Sequence, residues 1–232
     1  MNQPSAFDPY AETYDAACAE ALSVSGEDRK YFAEGRVRWL AGCLTRCGES
    51  PRSALDFGCG PGSTTPILLG ELHLEHCIAI DTSGRLIELA RKTYGSPASE
   101  FQLVDDFQPS GSLDLAYCNG VFHHIPLEER LDSLALIHRS LRPGGLFALW
   151  ENNPWNPGTR YVMSNCSFDK DAVTLTPPES RRLLRSAGFE ILRTDFLFIF
   201  PRFLKLLRAL ENTLSRLPLG TQYQVLCRKP AA

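Results

Sequence analysis

Residues 54–62, Ala-Leu-Asp-Phe-Gly-Cys-Gly-Pro-Gly, are the densest concentration of groups in this chain that could organise chemistry. A short apolar run there meets Asp56 and then Gly58, Gly60 and Gly62 at alternate positions. Glycine lets a chain leave a strand through a tight turn and lets the backbone come close to a ligand. Ser63, Thr64 and Thr65 can open a helix whose first amides point back at whatever occupies that turn. Such a turn makes a nucleotide-type crevice.

Spacing narrows the nucleotide. A phosphate-binding P-loop needs Gly-Lys-Ser/Thr after its second glycine, and no such lysine is present. A dinucleotide fingerprint starting at Gly58 needs glycine at 63, where Ser63 stands, so an NAD-linked dehydrogenase is disfavoured. Asp81 follows Gly58 by 23 positions and ends the run Ile78-Ala79-Ile80-Asp81. An acid at that place can accept both hydroxyls of a ribose, whichever nucleoside is bound. Asp105 and Asp106 could accept an exocyclic adenine amine, with Phe107 beside the ring. A further segment, Asn119-Gly120-Val121-Phe122-His123-His124, follows another apolar run.

These groups need elements that bring them to one edge. Short apolar runs alternate with helical stretches, as in repeated strand–helix units. Strands are expected at 53–57, 76–80, 100–104, 113–118 and 145–150, with helices at 63–72, 84–93 and 127–141. Leu127, Leu131, Leu134, Ile137, His138 and Leu141 form the stripe of the last helix, which Pro143-Gly144-Gly145 should end. Beyond it, a helix at 179–187, a strand at 189–200, a helix at 202–217 and a final strand at 222–228 are expected. Short connections of this kind imply right-handed crossovers and a doubly wound α/β sheet covered on both faces. The first 50 residues read as a helical N-terminal cap, 51–150 as the core, and 151–232 as substrate-side insertions with the last two strands.

The motifs in this order, together with Leu141-Arg142-Pro143-Gly144-Gly145, resemble those of class I S-adenosylmethionine-dependent methyltransferases of the small-molecule type. The resemblance is close over roughly residues 50–150. It implies a seven-stranded sheet in the order 3-2-1-4-5-7-6 with strand 7 antiparallel, S-adenosylmethionine as cofactor and S-adenosylhomocysteine as product. By the same resemblance Gly58, Gly60 and Gly62, with Asp56, cradle the methionine part. Asp81 and Thr82 hold the ribose, Asp105 or Asp106 with Phe107 the adenine, and Asn119 and Gly120 the methionine amino group. Similar enzymes close a tyrosine-bearing N-terminal segment over the cofactor. That assigns Tyr14 to the cofactor and Tyr10 to cofactor or substrate, with Arg36 and Arg38 as alternatives for the methionine carboxylate.

Methyl transfer from a sulfonium needs mainly positioning in a dry pocket, and a base only when the acceptor must lose a proton. His123 and His124 are the candidates for that base, or else they hold their loop. Glu151, Asn152, Asn153 and Trp155 are the expected acceptor wall, with Glu151 also placed among the catalytic candidates; a plain Asn/Pro turn is the other reading of that stretch. The acceptor is expected to be a small or medium-sized metabolite methylated on oxygen or nitrogen. RNA or protein methylation, or a cofactor-binding partner without turnover, are the alternatives. The first lacks a basic stripe and the Asn/Asp-Pro-Pro-Tyr pattern that similar amino-base enzymes carry after strand 4.

Composition fits these readings. The 232 residues are 44% hydrophobic and 22% charged with a formal net charge of −3, which gives no electrostatic reason to expect nucleic acid. No apolar run reaches the ~20 residues of a membrane span, and the polar start suggests a cytoplasmic protein. The eight cysteines include no Cys-x-x-Cys pair, so they read as reduced small hydrophobes and no metal site is expected. Residues 201–217 carry leucines on one side and basic residues on the other. The expectation is that they pack on the sheet, with membrane-surface contact as the alternative. Oligomeric state is left open.

Overall fold

The computed structural model describes residues 22–166 and 172–231. Tyr10 and Tyr14 lie outside the described residues. Seven strands pair into one sheet in the order β3-β2-β1-β4-β5-β7-β6. They are β1 (Ser53–Phe57), β2 (His76–Asp81), β3 (Ser99–Leu103), β4 (Leu113–Asn119), β5 (Leu141–Asn152), β6 (Glu190–Leu197) and β7 (Gln222–Arg228). The pairs among β1 to β5 are parallel, whereas β7 runs antiparallel to both β5 and β6. The order reverses between β1 and β4, which is where an open α/β sheet holds its ligand.

Helix α1 (Arg29–Cys47) begins where the Asp28 side chain accepts the Tyr31 amide, and ends at Gly48 with φ 71°. Phe32, Val37, Leu40, Cys43 and Leu44 recur at helical spacing along its buried face. They pack in one cluster with Tyr117, Trp150 and Leu226 of the sheet. Each such fully buried side chain contributes roughly 1.5–3 kcal/mol of transfer free energy. Helices α2 (Thr65–Glu71) and α3 (Gly84–Tyr94) follow β1 and β2. On the other face, α4 (Arg130–Ser140) and α6 (Pro177–Ser186) meet Leu55, Phe122, Phe147 and Tyr223 in a second cluster. Between them, α5 (Pro157–Asn165) starts at an Asn156 cap.

Three local expectations are corrected. Pro143-Gly144-Gly145 does not precede the fifth strand but lies inside it, because pairing already starts at Leu141 opposite Leu113. The register shifts between Leu113 and Leu115, and the Gly144 amide is held by the Lys229 carbonyl, so the segment is a bulge. The sixth strand stops at Leu197 rather than running to 200, because Phe198 takes a left-handed φ of 62°. Residues 202–217 are not one helix packed on the sheet. A 3-10 stretch at Arg202–Leu210, with a non-helical Leu204, leads into the short α7 (Glu211–Leu214), and the apolar side chains face solvent. Of the seven described cysteines all but Cys47 are buried, as small apolar side chains are.

Candidate active site

A cavity of about 760 Å³ opens beyond the carboxyl ends of β1, β4 and β5. That lies within the roughly 300–1,000 Å³ of small-molecule sites. Its floor is the turn after β1, contributing Asp56, Gly58, Cys59, Gly60 and Pro61. Gly58, Gly60 and Gly62 all have left-handed φ values, of 72°, 55° and 82°. A side chain at Gly58 would overlap Val121, and one at Gly62 would meet Ala90 and Phe101 at 2.8 Å. Around Gly60 no atom of the described residues lies within 4 Å of that position. Two of the glycines therefore serve packing, and Gly60 keeps backbone open to the cavity.

Asp81 fixes this turn from the neighbouring strand. Its Oδ2 accepts the Gly60 amide at 2.8 Å and its Oδ1 accepts the Ser83 amide at 2.9 Å. Asp56 is buried below and accepts the Thr65 hydroxyl at 2.8 Å. Burial pushes the Asp56 carboxyl up to about 7, the Thr65 hydroxyl opposes that rise, the Asp81 charge adds to it, and the Arg36 guanidinium opposes it. The wall then passes Asn119, whose Oδ1 is buried without a hydrogen-bond partner among the described residues. A donor supplied by a ligand is what such an atom requires.

The far wall belongs to α1 and β7. Arg36 is buried; its Nε donates to the Tyr117 hydroxyl at 3.1 Å and its Nη1 to Gln222 Oε1 at 2.9 Å. Burial raises the Tyr117 phenol to about 12, so this partner stays neutral. Asn152, the last residue of β5, faces Gln222 in register and accepts its side-chain amide at 3.3 Å. Thr159, Val162 and Met163 of α5 complete the rim. Arg38 sits away from it, paired with Glu34 and Glu71 on the exposed side of α1.

Other expected site residues stand behind this wall or along the same edge. Glu151 and His123 are buried against one another, Oε2 to Nδ1 at 2.6 Å, and Glu151 Oε1 accepts the Phe122 amide. The His124 ring lies against that of His123, centroids 4.1 Å apart and planes tilted by 49°. Gly120, with φ 67°, donates its amide to the Trp150 carbonyl and starts this loop. Asn153 is buried and clamps the Pro218 and Gly220 carbonyls, whereas Trp155 is half exposed. Thr82, Asp105 and Asp106 are exposed at the ends of β2 and β3, and Phe107 is buried in the core. Tyr117 and Gln222 escaped the sequence reading, whereas the α5 residues fall in the stretch it gave to the substrate side. Only the antiparallel register of β7 on β5, which sets Gln222 opposite Asn152, could have signalled one of them.

The sheet order, the glycine turn and the acid after β2 define a class I S-adenosylmethionine-dependent methyltransferase fold. Residues 55–149 match the family model described as a methyltransferase domain. Among curated proteins, the chain is similar to the trans-aconitate 2-methyltransferase of Methylobacterium radiotolerans, 35% identical over 51% of this chain and 45% of that one. It is also similar to the enzyme of that name from Methylobacterium nodulans, 33% identical over 68% of this chain and 58% of that one. The chain thus spans about half the length of the curated relatives it matches. The same fold is seen in the methyltransferase solved with the Haloferax volcanii Trm112 activator. That match has a TM-score of 0.67 at 18% identity, over 98% of this chain and 99% of that one.

The residues present fit S-adenosylmethionine, the cofactor that this fold and these relatives imply. Gly60 offers an open cradle, Asn119 Oδ1 lacks a donor, and Arg36 is a buried cation bonded to neutral groups. The first two suit close backbone approach and an ammonium, and Arg36 suits a carboxylate, whether of the donor's methionine part or of an acceptor.

Proposed function

We propose that this chain methylates a carboxylate oxygen of a small organic acid, with S-adenosylmethionine as the donor. When bound, the sulfonium supplies an already activated methyl group. The glycine turn, Asp81 and Asn119 bind and orient the donor, while Thr159, Val162 and Met163 exclude water from the transfer line. Positioning of this kind can lower a barrier by several kcal/mol, up to ~7–11 kcal/mol in well-oriented systems.

One observation carries the choice of acceptor: among the described residues the cavity wall holds a buried guanidinium, Arg36, and no histidine. A carboxylic acid is ionised near neutral pH, so its oxygen attacks without a base. Such an acceptor asks for charge recognition, which Arg36 can give, rather than for a proton acceptor. The relatives named for trans-aconitate methylation support the same reading. His123, His124 and Glu151 then position the loop after β4 instead of taking a proton.

The test is product analysis. Purified protein with S-adenosylmethionine should convert trans-aconitate or another di- or tricarboxylate to a methyl ester, with matching S-adenosylhomocysteine. Methyl products from amines or phenols alone would overturn the carboxylate reading. Arg36→Gln locates the carboxylate that Arg36 serves: a weaker donor affinity assigns it to the methionine part, a raised acceptor KM to the substrate.

A further inference from the structure

Residues 202–219 form an apolar surface that no other described element covers. Leu206 is 88% exposed and Phe203 79%, and Leu207, Leu210, Leu217 and Leu219 are exposed beside them. Large exposed leucines grouped on one segment mark an interaction surface rather than ordinary surface scatter. The segment is held from below. Glu211 accepts the Phe200 amide, Arg208 pairs with Glu27 and lies over the Tyr31 ring, and Phe196 donates its amide to the Ser215 carbonyl. The apolar side chains are thus presented by an anchored element.

Its charges are sorted by direction. Glu211 and Arg208 turn inward and are half-buried, whereas the exposed charged residues of the segment are Arg202, Lys205 and Arg216, all basic. Arg216 also borders a shallow cavity of about 680 Å³ between α1 and β6, with Arg38, Trp39, Arg46 and Arg193 on its walls. The buried Asp195 there is held by Arg193 and lies 3.6 Å from Arg216, and Glu211 borders the same cavity, so Arg46, Arg193 and Arg216 still outnumber these two carboxylates. An exposed leucine patch next to a basic cleft is complementary to one kind of surface, apolar beneath and anionic above. That is an anionic lipid interface.

We propose that residues 202–219 dock the protein peripherally on anionic bilayers. Phe203 and Leu206 enter the headgroup–acyl boundary, and Lys205, Arg216 and the adjoining arginines meet lipid phosphates. No described helix is long and apolar enough to cross a membrane, so the contact is superficial. Arg202 donates to the Gly26 carbonyl, next to Ser25 on the wall of the main cavity, so docking brings the bilayer to the rim of that cavity.

Flotation of the full chain with vesicles tests this without reference to methyl transfer. Binding is expected to vesicles with about one quarter phosphatidylglycerol, and to weaken at least about tenfold on pure phosphatidylcholine or in about 0.5 M salt. The double variant F203E/L206E should lose binding by about 100-fold or more, and K205A/R216A by about tenfold, at an unchanged melting temperature. Failure of the unaltered protein to float with anionic vesicles would overturn the proposal. So would unaltered binding of F203E/L206E, or light scattering in which that double variant turns a dimer of the unaltered chain into a monomer.

Discussion

The Asp81 carboxylate accepts the Gly60 amide at 2.8 Å, so the end of β2 holds the one glycine of the turn that stays open to the cavity. Its other oxygen accepts the Ser83 amide, at the cap of α3. Asp81→Ala removes both acceptors at once and leaves the buried Gly60 amide without its side-chain partner. Affinity for S-adenosylhomocysteine should fall by ~1–3 kcal/mol, the cost of an unpaired buried polar group. Calorimetric titration of the variant checks this, and an unchanged Kd would remove Asp81 from the site.

Gly60 and Gly62 should respond differently to the same change. Gly62→Ala forces a methyl against Phe101 and Ala90 and lowers the melting temperature. Overpacking of this kind costs ~1–3 kcal/mol. Gly60→Ala meets no atom of the described residues and carries only the left-handed backbone cost, about 1–2 kcal/mol. Its larger effect should be on cofactor affinity. Paired thermal melts and titrations separate the two, and equal effects of both variants on both quantities would contradict the division.

The edge of the fold that we propose for the cofactor could be read from residues because each strand end there is marked by its own chemistry. Gly58 to Gly62, Asp81 and Asn119 are polar or flexible where an apolar run stops, and the structure gathers that edge around one turn. The acceptor side could not be read that way. Gln222 reaches the cavity only because β7 runs antiparallel on β5 in a register that places it opposite Asn152. Arg36 is one of several arginines on α1, and only packing buries it while Arg38 stays outside. Glu151 looked like a wall residue since it ends a strand, yet side chains alternate along β5. It faces His123 and the Phe122 amide while Asn152 faces the cavity. The leucines of 203–217 suggested a packed helix by spacing, but that spacing does not say which side is covered.

Asp56 supplies a pH dependence whose sign follows from its position. Its carboxyl is raised to about 7 in the folded chain, so the folded state holds a proton that the unfolded chain has lost above about 4. Stability from this group therefore declines as pH rises from about 4 through 7, and Asp56→Asn should flatten that decline in denaturant titrations. Binding runs the other way. A cationic donor beside Asp56 favours its ionised form, so S-adenosylmethionine affinity should drop as pH is lowered from about 8 to about 6. Asp56→Asn should abolish the slope, and a slope that persists in the variant would assign it to another group.

The buried His123–Glu151 pair should matter for folding more than for the methyl step. Glu151→Ala leaves the Phe122 amide and the His123 ring without their acceptor, and loss of one partner of a buried pair costs ~3–5 kcal/mol. With a carboxylate acceptor, His123→Gln should keep kcat within about tenfold, because general-base catalysis contributes about 10²–10⁴-fold where it operates. Steady-state kinetics decide: a kcat loss of that larger size, at unchanged melting temperature and cofactor Kd, would make His123 a base.

The central claim is that the glycine turn binds a methyl-donor nucleoside. Calorimetry of the purified chain with S-adenosylmethionine, S-adenosylhomocysteine and NAD tests it most directly. Both sulfur nucleosides should bind with Kd well below about 1 mM, a free energy beyond about −4 kcal/mol, and NAD should give no saturable heat. Saturable binding of NAD with none of either sulfur nucleoside would contradict it.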